Sequence, residues 1–267
     1  MKKIKNGVIL AAGLGTRLYP LTKFFPKLIL PVFDKPLIIH HLQIMKLLGI
    51  EKVFIVVSDT NQNLISETIL KEEGLNIQFE FKIQNFLGGT GHALLQLKKE
   101  LKNSRFFLIL GDEYFNNLSS FAQINSVTNH ENILGIIEYS NIKDIMASCN
   151  VSFKNGTITK LTEKPKEFEI HSNWCWDGTA VLSSDIMNVL EDISKTDIEK
   201  RKDYICLVKA MQVMMKREKS FAYLKRTGVN INISNDIDLL KANFLECAKK
   251  YNPYEIIDTL IALKEAN

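Results

Sequence analysis

At 267 residues, 46% hydrophobic and 24% charged, the chain is long enough for one large α/β domain or two small ones, with ample core. A net charge of +4, with both signs interspersed, is too small to imply nucleic acid or a membrane surface as partner, and no apolar run approaches membrane-spanning length. The four cysteines (Cys149, Cys175, Cys206 and Cys247) are scattered without a C-x-x-C pair and read as reduced, mostly buried thiols.

Met1–Lys5 is basic but leads directly into an apolar run, so it does not read as a cleaved signal peptide, and the expected compartment is the cytoplasm. Val8 to Ala12 reads as a strand buried on both faces. Gly13 and Gly15 follow, then Thr16 and Arg17. Glycines at that spacing let backbone N–H groups close on a phosphate, and Arg17 adds a fork suited to phosphate oxygens. Pro26-Lys27 supplies a second cation on a stiffened loop. Leu37 to Leu48 carries a helical apolar stripe, with Pro36 at its first turn and Gly49 at its end. A strand is expected over Lys52 to Ser58, a helix over Asn61 to Glu73 and an alternating strand over Ile77 to Ile83. Gln84 opens a second glycine-rich loop through Gly88, Gly89, Thr90, Gly91 and His92, feeding a helix to about Leu101. Phe106 to Leu110 reads as the next strand and ends in Gly111-Asp112.

Strand and helix alternate with glycine or acidic residues at strand ends. This pattern predicts an α/β fold: a Rossmann-like open, mostly parallel but mixed sheet flanked by helices, with ligands at the carboxyl ends of the strands. Past about residue 130 the pattern changes. Ile133 to Tyr139 reads as a strand, and Val151 to Phe153 and Thr157 to Leu161 flank Asn155-Gly156, a hairpin signal. Trp174 to Leu182 is an expected strand, Ser184 to Ile193 a helix, Lys195 to Asp203 a charged surface connection, Tyr204 to Lys216 a helix and Phe221 to Lys225 a strand. The amphipathic segments Asp236 to Lys250 and Tyr254 to Lys264 leave two uses open: packing on the chain's own core, or an interface in a homo-oligomer. The expected organisation is a single domain over 1–267, with a nucleotide-binding half (1–130), a β-rich elaboration for the second substrate (131–235) and C-terminal helices (236–267).

The stretch Gly7–Val32, GVILAAGLGTRLYPLTKFFPKLILPV, is the most informative in the chain. It fails as G-x-G-x-x-G, because Leu18 occupies the third glycine position, although Asp34 lies near the expected acidic place. Nor does a Gly-Lys-Ser/Thr close a P-loop. It resembles the N-terminal motif of the sugar-1-phosphate nucleotidyltransferases, LAAGxGTRLxPLTxxxPKxLLPV, at nearly every marked position. That resemblance implies attack by a sugar-1-phosphate oxygen on the α-phosphorus of a nucleoside triphosphate, with Mg²⁺ and release of pyrophosphate. It assigns Arg17 and Lys27 to catalysis. Leu10, Ala11, Ala12, Gly13, Gly15, Thr16, Gln84, Gly89, Thr90 and Asp112 fall to nucleotide binding, with Gln84 suited to the N3–H and O4 edge of uracil or thymine. Glu163 and Lys164 of Glu163-Lys164-Pro165, Gly178 and Asn150 fall to the phosphorylated acceptor. Asp112 and Asn232 are the implied metal ligands, with Asn230 an alternative register. Asn150 stands where the family usually has glycine, and Asn232 where it usually has aspartate. The favoured nucleotides are UTP and dTTP. Two alternatives stand beside this one: a CTP-dependent enzyme acting on a sugar phosphate or small phospho-alcohol, and a nucleotide-binding regulatory homologue without catalysis.

Overall fold

The computed structural model describes residues 3–126, 130–199 and 204–265. The chain begins with β1 (Asn6–Leu10), in which Val8 and Leu10 enter one hydrophobic core and Ile9 the other. That is the double-sided burial its unbroken apolar run predicted. Ala11 and Ala12 lie past the strand end. A long loop follows through the short α1 (Leu21–Phe24), then the two-residue strands β2 (Pro31–Val32) and β3 (Lys35–Pro36), and leads into α2 (Leu37–Leu47). Gly49, at φ 65°, ends that helix in the left-handed conformation glycine adopts without strain. Then come β4 (Lys52–Val57), α3 (Gln62–Leu70), β5 (Gln78–Ile83), α4 (Gly89–Leu95) and β6 (Arg105–Leu110). The strand order β5-β4-β1-β6 is parallel throughout, with Ile9 paired to both Ile55 and Ile109. The carboxyl ends of these strands therefore share one edge.

The second half is more mixed. After β6 run β7 (Glu113–Phe115), a 3-10 stretch (Leu118–Ser126), β8 (Asn132–Glu138), α5 (Ile142–Ala147), β9 (Cys149–Lys154), β10 (Thr157–Glu163), β11 (Trp174–Ser183), α6 (Asp185–Glu199), α7 (Leu207–Lys216), β12 (Phe221–Lys225), β13 (Asn230–Asn232), α8 (Asp236–Lys250) and α9 (Pro253–Glu265). β11 joins the sheet antiparallel to β6, and the order continues β11-β8-β12-β10-β9, with β11 also touching β9 at Cys175↔Asn150. β9 and β10 turn at Asn155 (φ 50°) and Gly156 (φ 78°), both left-handed, as a two-residue primed hairpin requires. The expected surface connection from Lys195 is a correction: α6 runs on to Glu199, because Lys and Glu are good helix formers whatever their charge. The rest of that segment, 200–203, lies outside the described residues. Helix α4 stops earlier than expected, at Leu95.

β7 and β13 form a separate two-stranded sheet at the mouth of the parallel half. Against it packs α8, around a core of Leu18, Leu30, Val32, Leu37, Tyr114, Ile233 and Ala242. Asn243 of α8 accepts from Phe33 N–H at 2.7 Å, tying the helix to the N-terminal loop. Inside the main sheet, Arg226 and Asp177 form a buried ion pair at 3.1 Å. No described helix is long and apolar enough to cross a membrane. Cys149 and Cys175 are buried free thiols, and Cys206 and Cys247 are free and half-buried.

Candidate active site

At the strand-end edge, Ala11 N–H donates to Val56 O and Gly111 N–H to Leu10 O, both at 2.8 Å. A Cβ on Gly111 would come within 2.6 Å of Leu10 O, so glycine is what lets these two strand ends meet. The loop beyond β1 turns at Gly15 (φ 63°). Thr22 Oγ1 donates to Gly15 O at 2.7 Å and pins that turn. A Cβ on Gly13 would face open space, and Arg17 is exposed beyond the turn. Lys27 folds back so that its Nζ stands 3.5 Å from Asp112 Oδ2, a contact between residues 85 apart. The Lys27 side chain is 14% exposed and that of Asp112 32%, so the carboxylate is the more open of the two. The first loop and the end of β6, read separately in the sequence, thus converge.

Beside Asp112 lies a polar cluster that sequence reasoning missed. Glu113 is buried, and its Oε1 accepts from Asn232 Nδ2 at 2.7 Å while its Oε2 accepts from Asn230 Nδ2 at 2.9 Å. Burial, then the neighbouring charge of Asp112, push the Glu113 carboxyl up to about 8, against the two amide donors. Asn230 also accepts from Tyr139 Oη at 3.2 Å and is 6% exposed, so its amide oxygen is committed. Asn232 is exposed, and its Oδ1 has no protein partner among the described residues. Ile233 N–H donates to Asp112 O at 2.8 Å, which holds Asn232 and Asp112 at one strand edge. Of the two asparagines left open by the sequence, Asn232 is the one with an oxygen to give. One carboxylate and one amide oxygen fit a hard cation that takes its remaining ligands from water and phosphate. No cluster of three or more His, Cys, Asp or Glu side chains among the described residues could hold a metal alone. A signal for the cluster existed: Asn230 and Asn232, two apart on a strand, share a face.

The Gln84 loop is held to a distant segment. Gly91 N–H donates to Ile205 O at 2.8 Å, Ile205 N–H to Gly88 O at 2.7 Å, and Leu207 N–H to Thr90 Oγ1 at 3.2 Å. A Cβ on Gly89 (φ 88°) would meet Ile205 O at 2.7 Å. Gly88, Thr90 and Gly91 therefore anchor the 205–207 segment in this structure, with Gly89 close against it. Gln84 Nε2 donates to Gly89 O at 3.1 Å and lies 2.9 Å from His92 Nδ1. A carbonyl oxygen only accepts, so the amide nitrogen faces the loop and Oε1 is the end left for a ligand.

The acceptor-side residues divide. Gly178 (φ 81°) sits directly over Glu113, where a Cβ would come within 2.5 Å of Glu113 Cγ. Glu163 and Lys164 are exposed at the end of β10, whose Leu161 O accepts from Gln212 Nε2 of α7 at 2.8 Å. Asn150 does not open onto a ligand. It is 1% exposed, its Nδ2 donates to Ser172 O and Trp174 O at 2.8 and 3.0 Å, and its Oδ1 accepts from His171 N–H at 3.2 Å. Its amide staples the 171–174 segment to β9. That corrects the expectation of an acceptor contact through its side chain.

Residues 6–230 match the nucleotidyl transferase family. The chain belongs to that family. The chain is also similar to known proteins in sequence and in structure. The chain is 29% identical over 253 residues to a UTP–glucose-1-phosphate uridylyltransferase of Staphylococcus epidermidis, covering 84% of this chain and 85% of that one. It is 28% identical over 238 residues to the bifunctional protein GlmU of Methanococcus maripaludis, covering 89% of this chain and 53% of the relative. The chain thus spans about half the length of that GlmU protein. A UDP-glucose pyrophosphorylase solved with UDP-glucose superposes with TM-score 0.79 at 25% identity, covering 92% of this chain and 99% of that one. A putative glucose-1-phosphate thymidylyltransferase of Bacillus anthracis superposes with TM-score 0.79 at 23% identity, covering 90% and 94% of the two chains, and shows the same fold. The nucleotidyltransferase resemblance carried by the N-terminal motif and the mixed α/β fold expected from the strand–helix alternation are both borne out.

Proposed function

We propose that this nucleotidyltransferase joins UTP or dTTP to a sugar-1-phosphate, giving a nucleotide sugar and pyrophosphate. The observation that carries the reading is Lys27 Nζ held 3.5 Å from Asp112 Oδ2 at the mouth of the glycine turn. It puts a cation and an accessible carboxylate where a triphosphate chain would cross the strand ends. The reaction forms a bond from an acceptor phosphate oxygen to the α-phosphorus and breaks the bond from that phosphorus to the oxygen bridging α and β. Such a displacement asks for alignment and charge neutralisation more than covalent help. Arg17, exposed past Gly15, clamps the leaving β- and γ-phosphates. Lys27 lies against the α-phosphate and the incoming phosphate, where negative charge crowds. Asp112 and Asn232 Oδ1 would hold the divalent cation, with Mg²⁺ the expected metal, and that cation would supply charge neutralisation at the phosphates. Gln84 Oε1, as the free end of its amide, accepts from N3–H of uracil or thymine. Where uracil and thymine have a donor at N3, cytosine has a lone pair, so an oxygen set against N3 favours UTP and dTTP over CTP.

The test is pyrophosphate release across UTP, dTTP, CTP, ATP and GTP against a panel of sugar-1-phosphates and phospho-alcohols, with Mg²⁺. Turnover with UTP or dTTP and one sugar-1-phosphate is expected. Lys27→Ala should keep the fold and lower kcat/KM by roughly two to three orders of magnitude, on the scale of one lost oxyanion donor. Turnover confined to CTP and a phospho-alcohol, or an undiminished Lys27→Ala enzyme, overturns the assignment.

A further inference from the structure

Glu113 has no part in the scheme above, yet with Asp177 it is one of two buried carboxylates among the described residues, at 6% exposed. Buried acids persist where partners hold them. Both of its oxygens accept from asparagine side chains, Oε1 from Asn232 Nδ2 at 2.7 Å and Oε2 from Asn230 Nδ2 at 2.9 Å. As an ionised carboxylate, with no proton of its own to give, Glu113 can only accept; the atom facing it from each asparagine is nitrogen, and each Oδ1 faces away. Asn230 spends its oxygen on Tyr139 Oη. Asn232, exposed and level with Glu113 in the β7–β13 register, keeps its oxygen free. Gly178 closes the opposite side, so Glu113 has little room to swing out. An asparagine amide has two faces. With oxygen outward it ligates a cation, and with nitrogen outward it repels one.

We propose that Glu113 is a positioning residue: by accepting from the Asn232 nitrogen, it holds Asn232 Oδ1 outward beside Asp112 as a preset neutral ligand for a divalent cation. The inference rests on the metal-site reading under Proposed function. The acid sits one layer behind and sets the direction of a neutral group.

The experiment, run above pH 8 so that the Glu113 carboxyl is ionised, titrates Mn²⁺ alone into the full chain and follows free Mn²⁺ by electron paramagnetic resonance, with UTP-dependent pyrophosphate release measured in parallel. Glu113→Gln replaces one accepting oxygen with a donor; Asn230 is pinned by Tyr139 Oη and Tyr114 O, so Asn232 is the asparagine that has to turn, and Mn²⁺ affinity should fall about tenfold, as for lost outer-shell partners, with circular dichroism unchanged. The double variant Glu113→Gln/Asn232→Asp restores the bond with its polarity reversed and should bind most tightly. Wild-type affinity in Glu113→Gln, or a double variant that binds no more tightly than Glu113→Gln, overturns the positioning role while leaving the nucleotidyl-transfer reading intact. If Glu113→Gln does not fold, the double variant decides alone, and binding no tighter than wild type refutes the proposal. A wild-type chain that binds no Mn²⁺ yet releases pyrophosphate removes the Asp112–Asn232 site and this inference with it, but not the activity.

Discussion

Replacing Arg226 by methionine tests the buried pair at the centre of the sheet. Arg226 Nε meets Asp177 Oδ2 at 3.1 Å, and the two side chains are 2% and 0% exposed. Arg226 Nη1 also donates to Ser120 O at 2.9 Å, and its guanidinium lies 4.0 Å over the Phe121 ring. Asp177 Oδ1 would keep its donors from Thr179, N–H at 2.8 Å and Oγ1 at 2.6 Å, but Oδ2 would be left buried without a cation. Breaking such a pair from one side costs roughly 3–5 kcal/mol. With an unfolding entropy of about 2.1 cal/mol/K per residue, that is a fall in Tm of roughly 5–9 °C for a chain this size. The deficit also carries a pH signature. Burial already raises the Asp177 carboxyl, and Arg226 pulls it back down. Without Arg226 the folded pKa climbs further above the unfolded one. The cost therefore grows as pH rises from the unfolded value toward the folded value, and shrinks on acidification as the carboxyl takes up a proton. Calorimetric scans of both proteins at pH 7.5 and 5 provide the assay. A Tm loss under 2 °C, or one that is the same at both pH values, refutes the reasoning.

Gly178→Ala should lower both stability and turnover, since the new Cβ meets Glu113 Cγ at 2.5 Å and the φ of 81° strains any other residue; an active variant of wild-type Tm contradicts that packing. His41 is fully buried, with its pKa lowered to about 4, mainly by burial, so the unfolded chain takes up its proton first and stability falls as pH drops from 6.5 toward 4. By pH 5 this one group should account for about 2 kcal/mol, seen as a urea-midpoint shift that a His41→Gln variant loses. Gln84→Ala should narrow the kcat/KM ratio between UTP and CTP and lower Tm somewhat, since the buried amide also donates to Gly89 O, and an unchanged ratio means another residue reads the base.

How much of this was legible depends on distance along the chain. The first loop could be read because Gly13, Gly15, Arg17 and Lys27 lie within one short run whose spacing carries its meaning. The parallel strands were readable because Val8, Phe54 and Phe106 on one face alternate with Ile9, Ile55 and Phe107 on the other, which leaves unbroken apolar runs. The Glu113 cluster was not, since its bonds span 117 and 119 residues and its two strands are three residues each, too short for a period. Asn150 misled for a different reason. Residue type shows that an amide can bind something, but not which way it faces, and here it faces backbone carbonyls. Gly89 and Gly91 mark a close approach, and the nearest backbone to each is the chain's own at Ile205.

That last contact makes the two ends of the site one mechanical object. Gly88, Thr90 and Gly91 are bonded to the 205–207 segment, that segment opens α7, and Gln212 of α7 holds Leu161, two residues before Glu163. A base that shifts the glycine loop has to drag this tether or break one of its bonds. The arm that carries Glu163 and Lys164 would then register whether the nucleotide pocket is filled, and an acceptor on that arm would be registered at the base in turn. On the proposed assignment of these loops, the tether is a strut between two seats, and its stiffness would limit how independently they can be taken.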